Sequence, residues 1–115
     1  MSTILHITTR DAWEQALSAG AYTTPTLATE GFIHCSEPRQ VARVANERFR
    51  GRRGLMLLEI DPARVGAVVK HENTEGGAEL FPHIYGPLNL DAVTRVVPFE
   101  PDADGGFHYK APELT

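Results

Sequence analysis

The chain has a single cysteine among 115 residues, and that one count excludes an internal disulfide. It also fits a reducing compartment. Long apolar runs are missing as well. The longest, Leu55 to Leu58, falls far short of the roughly 20 residues that a membrane span needs. No basic start followed by an apolar stretch marks a signal peptide, since Thr9 to Glu14 is polar. No membrane partner is expected, and the expectation is a cytoplasmic protein. There is no long repeat, linker or low-complexity tract, so residues 1–115 read as one domain around one core. Positive charge is not in excess either: 11 Lys and Arg against 15 Asp and Glu leave a net charge of −4. That balance argues against a protein whose main task is gripping nucleic-acid backbones. Arg39, Arg43, Arg48, Arg50, Arg52 and Arg53 nevertheless lie in one helix and its exit. A solvated helix face with favourable charge near its C-terminus is preferred here to an RNA-binding patch.

What is present begins with a phrase used twice, Leu5-His6-Ile7-Thr8 and Ile33-His34-Cys35-Ser36. Each reads aliphatic, His, apolar, hydroxyl. The period of two puts His6 with Thr8, and His34 with Ser36, on the polar faces of two strands. Ile4 to Thr8 reads as the first strand. A helix over Asp11 to Ala19 follows, capped by Thr8 or Thr9, with Trp13, Ala16 and Leu17 as its buried stripe and Gly20 as its stop. Tyr22 to Glu30 reads as a loop and Phe32 to Cys35 as the second strand. Ser36 is expected to cap a second helix, which Pro38 opens and Gly51 ends. Leu55 to Ile60 reads as a strand buried on both faces. Val65 to Lys70 predicts another strand, and His71 to Ala78 a mobile polar loop. Phe81 to Pro87 reads as a rigid loop and Asn89 as the cap of a short helical turn. Strands are expected at Val93 to Phe99 and Phe107 to Lys110. Strands and helices mix without regular βαβ alternation, so the fold class is α+β with two main helices.

The polar residues then suggest a site. If Ser36 begins a helix, unpaired N–H groups of the first turn sit beside His34 and favour an anion. A backbone-bonded structural role is the competing reading for His34, and more so for His6, whose pairing with Thr8 is its main support. His83 and Tyr85, stiffened by Pro82 and Pro87, form a candidate ligand wall or simply a packed turn. Cys35 alternates away from His34, so a buried structural thiol is preferred to a nucleophile. No two histidines have the spacing that pre-assembles metal ligands, so no metal is expected. Among carboxylates, Glu30 precedes the second His strand, while Glu72, Glu75 and Glu79 surround the expected loop; each is a candidate acid or base.

The chain resembles the domain of unknown function 952 family over nearly its whole length. The resemblance rests on Leu5-His6-Ile7 with Trp13, on Glu30 to Ser36 with Gln40 and Ala45-Asn46, on Leu57 to Asp61, and on Phe81 to Asn89. That family is similar in fold to the ADP-ribosyltransferases, whose curved, split β-structure binds NAD in a cleft. The resemblance implies NAD as cofactor and a small-molecule nucleotide as partner. His6 then matches a strand position that contacts the nicotinamide side, and His34 with Ser36 a second. A third position, often a catalytic Glu, falls near Pro82 to Tyr85, where none stands. The pattern is closer to the RNA 2′-phosphotransferase branch, which lacks that Glu.

The leading expectation is therefore an NAD- or nucleotide-binding enzyme of ADP-ribosyltransferase-like type. In it, His6, His34, Glu30 and Glu79 are the candidate catalytic residues. Thr8, Ser36, Gln40, His83 and Tyr85 are the candidate cofactor contacts. The alternatives are a non-catalytic nucleotide- or metabolite-binding module and a two-histidine phosphodiesterase built on His6 and His34.

Overall fold

The computed structural model describes residues 3–110. In chain order it contains β1 (Ile4–Thr9), α1 (Arg10–Ala19), β2 (Ala21–Tyr22), α2 (Pro25–Thr29), β3 (Ile33–His34), α3 (Pro38–Arg48), β4 (Leu55–Ile60), β5 (Val69–Glu72), β6 (Phe81–Ile84), β7 (Leu88–Asn89) and β8 (Val93–Phe99). Single 3₁₀ turns span Pro62–Arg64 and Leu90–Ala92. The class is α+β, and every strand pair is antiparallel.

The β-structure is divided among three ladders, ordered β1-β4-β8, β3-β6-β5 and β2-β7. The first two meet at one point. Leu5 and Ser36 exchange backbone hydrogen bonds of 2.8 Å in each direction, an isolated bridge between the edge of β1 and the segment leaving β3. Ser36 is thus a β-bridge residue, which corrects its expected role as a helix cap. Glu37 is the N-cap of α3, and Gln40 accepts the Glu37 N–H on Oε1 at 2.9 Å in a capping-box arrangement.

β4 is buried at all six positions, because both faces of the β1-β4-β8 sheet are covered. On one face Leu55 and Leu57 pack with Leu5, Val41, Ala45, Phe99 and Phe107 beneath α3. On the other, Leu58 and Ile60 join Ile4, Ala16, Tyr22, Ile33 and Ile84. Alternation puts His6 and Thr8 on that second face, against Tyr22, so their face of β1 is interior rather than solvated.

Helix α1 starts where Thr9 Oγ1 accepts the Ala12 N–H at 3.1 Å and stops at Gly20, whose φ of 87° is the left-handed C-cap conformation. Four further expectations are corrected. Tyr22 to Glu30 contains a short helix, α2, because Pro25 at its first position presets the helical φ. The strand expected over Val65 to Lys70 is displaced to Val69–Glu72, since Asn89 Oδ1 takes the Gly66 N–H at 2.9 Å and holds that stretch out of the ladder. Phe81 to Ile84 is a strand rather than a loop, central in its ladder. Phe107 to Lys110 forms no strand. The Asn46 side chain instead satisfies both backbone groups of buried Phe107, accepting from its N–H at 2.7 Å and donating to its carbonyl at 3.2 Å. At Gly86 a Cβ would lie 2.9 Å from that of Ala67, so this tight turn after β6 has room only for glycine.

Candidate active site

Where the two larger ladders diverge, α3 and the connection from β5 to β6 enclose a cavity of about 440 Å³. Its apolar floor is Leu5, Ile7, Val44, Phe49 and Phe81, and one wall carries His34, Ser36 and His83. The register that pairs Ile33 with Ile84 also pairs His34 with His83, so the two imidazoles are cross-strand neighbours. Their ring centroids are 5.3 Å apart, edge to face. Phe32 stacks on His83 at 4.0 Å and 20° and touches His34 at 4.8 Å.

Each imidazole is held by a carboxylate. His83 Nδ1 lies 3.1 Å from Glu72 Oε1, and the Tyr85 hydroxyl donates to the same oxygen. Those two bonds hold the Glu72 carboxyl below its usual range. Lys70 sits over the Tyr85 ring at 4.8 Å. His34 Nε2 lies 3.2 and 3.3 Å from the two Glu30 oxygens, in a more exposed setting. Among the described residues His34 Nδ1 and His83 Nε2 have no hydrogen-bond partner. His83 is only 3% exposed, yet no buried side-chain nitrogen or oxygen of the described residues lacks a partner. Its Nε2 therefore keeps some accessible surface, on a residue that lines the cavity.

His6 also borders the cavity but offers it nothing. Its Nδ1–H donates to the His34 carbonyl at 2.6 Å, and its Nε2 lies 2.7 Å from the Tyr22 hydroxyl. Burial drives the His6 pKa down to about 4, so the ring is neutral near pH 7. A neutral ring that donates through Nδ1 must accept at Nε2, so Tyr22 donates there and the Thr8 hydroxyl, 2.8 Å away, completes the chain. Thr8 and His6 form a structural network under the β3 strand. A two-histidine phosphodiesterase built on His6 and His34 loses one of its two proton carriers for this reason.

The opposite wall is a strap, residues 73–79, drawn onto α3. Arg43 donates to Glu79 at 2.6 Å and Arg48 to Glu75 at 2.7 Å. Gln40, fully buried, donates to Glu79 at 3.0 Å and to the Leu80 carbonyl at 2.9 Å. Asn73 closes the strap from within, accepting from Glu75 and Gly77 and donating to the Glu79 carbonyl. Gln40 is thus a strap anchor rather than a cavity contact. Tyr85 stands behind His83, and Glu30 behind His34. The anion site expected at the start of α3 is corrected too. Pro38 has no N–H to offer, and the Glu37 carboxylate already occupies that end.

Five of the six clustered arginines have local partners, Arg43 and Arg48 through the strap. Arg39 lies 3.4 Å from Glu37, Arg50 donates to the Asp104 carbonyl at 3.1 Å, and Arg52 covers the Phe49 ring at 5.8 Å. Cys35 is buried, and desolvation pushes its thiol well above the ordinary value, as expected of a structural cysteine. Among the described residues no group of three or more His, Cys, Asp or Glu is arranged to hold a metal ion. No helix of these residues is long and apolar enough to cross a membrane.

A family model described as "Protein of unknown function (DUF952)" matches residues 7–96. The chain belongs to that family. It is similar to protein CC0527 from Caulobacter crescentus, whose crystal structure superposes with a TM-score of 0.82 at 35% identity, covering 93% of this chain and 94% of that one. The solution NMR structure of CC0527 gives a TM-score of 0.80 at 36% identity, covering 92% and 91%. No curated protein matches the chain.

Against this family background, Phe32 is the site residue that the sequence pattern does not single out, and Glu72 stands there only as one of several carboxylates around a loop, not as the partner of His83. Glu72 would emerge from reading residues 69–72 and 81–84 as a hairpin, which brings Glu72 within reach of His83 across the strands. Phe32 looks like one more core aromatic until the pairing of His34 with His83 is known.

Proposed function

We propose that the cavity binds a nucleotide, with NAD the candidate, and that the protein is a transferase of ADP-ribosyltransferase-like type, closest to the RNA 2′-phosphotransferase pattern. The observation that carries this reading is the cavity wall of His34 and His83, two imidazoles each held by a carboxylate and each with a nitrogen to spare. An enclosed volume with an apolar floor and a few converging polar groups is the ordinary form of a small-ligand site. The floor suits a flat heterocycle, and the Ser36 hydroxyl and the histidines suit ribose and amide groups. Glu47, Glu75 and Glu79 line the same cavity as Arg43 and Arg48, so its fixed charge leans negative. That balance favours a ligand part that carries or develops positive charge, as the ribosyl centre does when nicotinamide departs.

Saturation-transfer NMR with NAD on the intact protein tests the reading. NAD is expected to give a signal that His34→Ala removes. An equal signal from the variant, or none from the wild type, refutes it. Binding without any turnover would select the non-catalytic module instead.

A further inference from the structure

We infer that His83 is the general base of this cavity, acting through Nε2 on a hydroxyl, either water or an alcohol, with Glu72 as its positioning residue. The inference rests on the nucleotide reading for its donor substrate, and on the following geometry for itself. The two histidines are held very differently. The His34–Glu30 pair has side chains 32% and 45% exposed, where water competes for the bond. The His83–Glu72 pair has side chains 4% and 28% exposed. Phe32 fixes the plane of the His83 ring by stacking, and Tyr85 fixes the carboxylate by donating to the same Glu72 oxygen. With Nδ1–H committed to Glu72, the lone pair of the ring lies at Nε2, the nitrogen that keeps accessible surface on this cavity-lining residue. A histidine oriented by a carboxylate through one nitrogen and facing the ligand through the other is the arrangement that proton abstraction requires.

The acceptor hydroxyl gives its proton to His83 Nε2 as its oxygen forms a bond to the ribosyl C1′ of NAD. The bond from C1′ to the pyridinium nitrogen breaks, its electron pair returns to the ring, and nicotinamide leaves neutral. The imidazolium so formed is paired with the Glu72 carboxylate and returns its proton to solvent. The acceptor class is thereby an oxygen nucleophile.

The test follows nicotinamide release from NAD by the full chain, in water and in water containing methanol. The wild type is expected to release nicotinamide and to form both ADP-ribose and its methyl glycoside. His83→Asn, at saturating NAD, is expected to lower kcat about 100-fold, within the usual range for loss of a general base. His83→Ala is expected to regain activity when imidazole is added, which a purely structural role would not give. Glu72→Gln is expected to lower kcat about 10-fold with the KM for NAD unchanged, and Glu72→Asp to restore part of it. NAD binding without release, or release that ignores His83 and imidazole, overturns the inference and leaves the nucleotide reading standing. Absence of NAD binding overturns both.

Discussion

Lowering the pH from 7 to 5 should cost this fold about 2 kcal/mol through one residue, His6. The ring is neutral in the folded protein because burial outweighs its bond to the His34 carbonyl, moving its pKa from 6.5 to about 4. In the unfolded chain the ring takes a proton near pH 6.5, so between 6.5 and 4 the unfolded state binds more protons and stability rises with pH. The contribution is complete above pH 6.5 and is lost as the pH falls through that window. A difference of 2.5 units is worth about 3 kcal/mol in full, of which about 2 kcal/mol has gone by pH 5. His6→Gln removes the titration and keeps a polar side chain that can bond to the His34 carbonyl. Urea unfolding should be followed through Trp13, which lies 6.4 Å from the Tyr22 ring, at pH 7, 6 and 5 for both proteins. The wild type is expected to be the more stable at pH 7, with the gap between the two closing by about 2 kcal/mol at pH 5. A gap that stays constant would refute the reasoning, since His6 would then titrate alike in both states.

Two further outcomes follow from the packing and the strap. Leu57→Ala, at a position with no exposed surface beneath α3, should destabilise the fold by about 2–5 kcal/mol, read as a fall in the urea midpoint with unchanged slope. Arg43→Ala combined with Arg48→Ala should speed hydrogen exchange of the amides in 73–79 while the core strands β1 and β4 keep their protection, because the two ion pairs hold only the strap.

The main strands and helices were readable from the sequence because their signals are local: the six apolar-rich residues of β4, the Thr9 cap and Gly20 stop of α1, and Pro38 and Gly51 around α3. The errors share a cause. β6 passed for a loop because Pro82 and Gly86 dominate its appearance, yet a proline fits where no ladder N–H is needed, and its neighbours pair with both β3 and β5. Phe107 passed for the start of a strand because nothing in the sequence announces that Asn46 will serve as its partner. At the site, His34 and His83 were visible as residue types but not as a pair, since their adjacency is a matter of register between segments 49 positions apart. His6 reads as the weaker half of the repeated phrase, supported mainly by its pairing with Thr8. Its commitment to Tyr22 and Thr8 is a property of the covered face of β1, which periodicity alone does not reveal.

The register of β6 has one more implication. In a strand, each residue points opposite to the one before it. β6 is four residues long and flanked on both sides. An insertion ahead of Phe81 that slid the strand by one place would swing His83 out of the hollow and turn Pro82 or Ile84 into it. Changes in the length of the hairpin crest must therefore bulge outward to be harmless. A slip of one residue at that crest would also take Ile84 out of the core, so stability would fall along with the loss of the imidazole from the hollow.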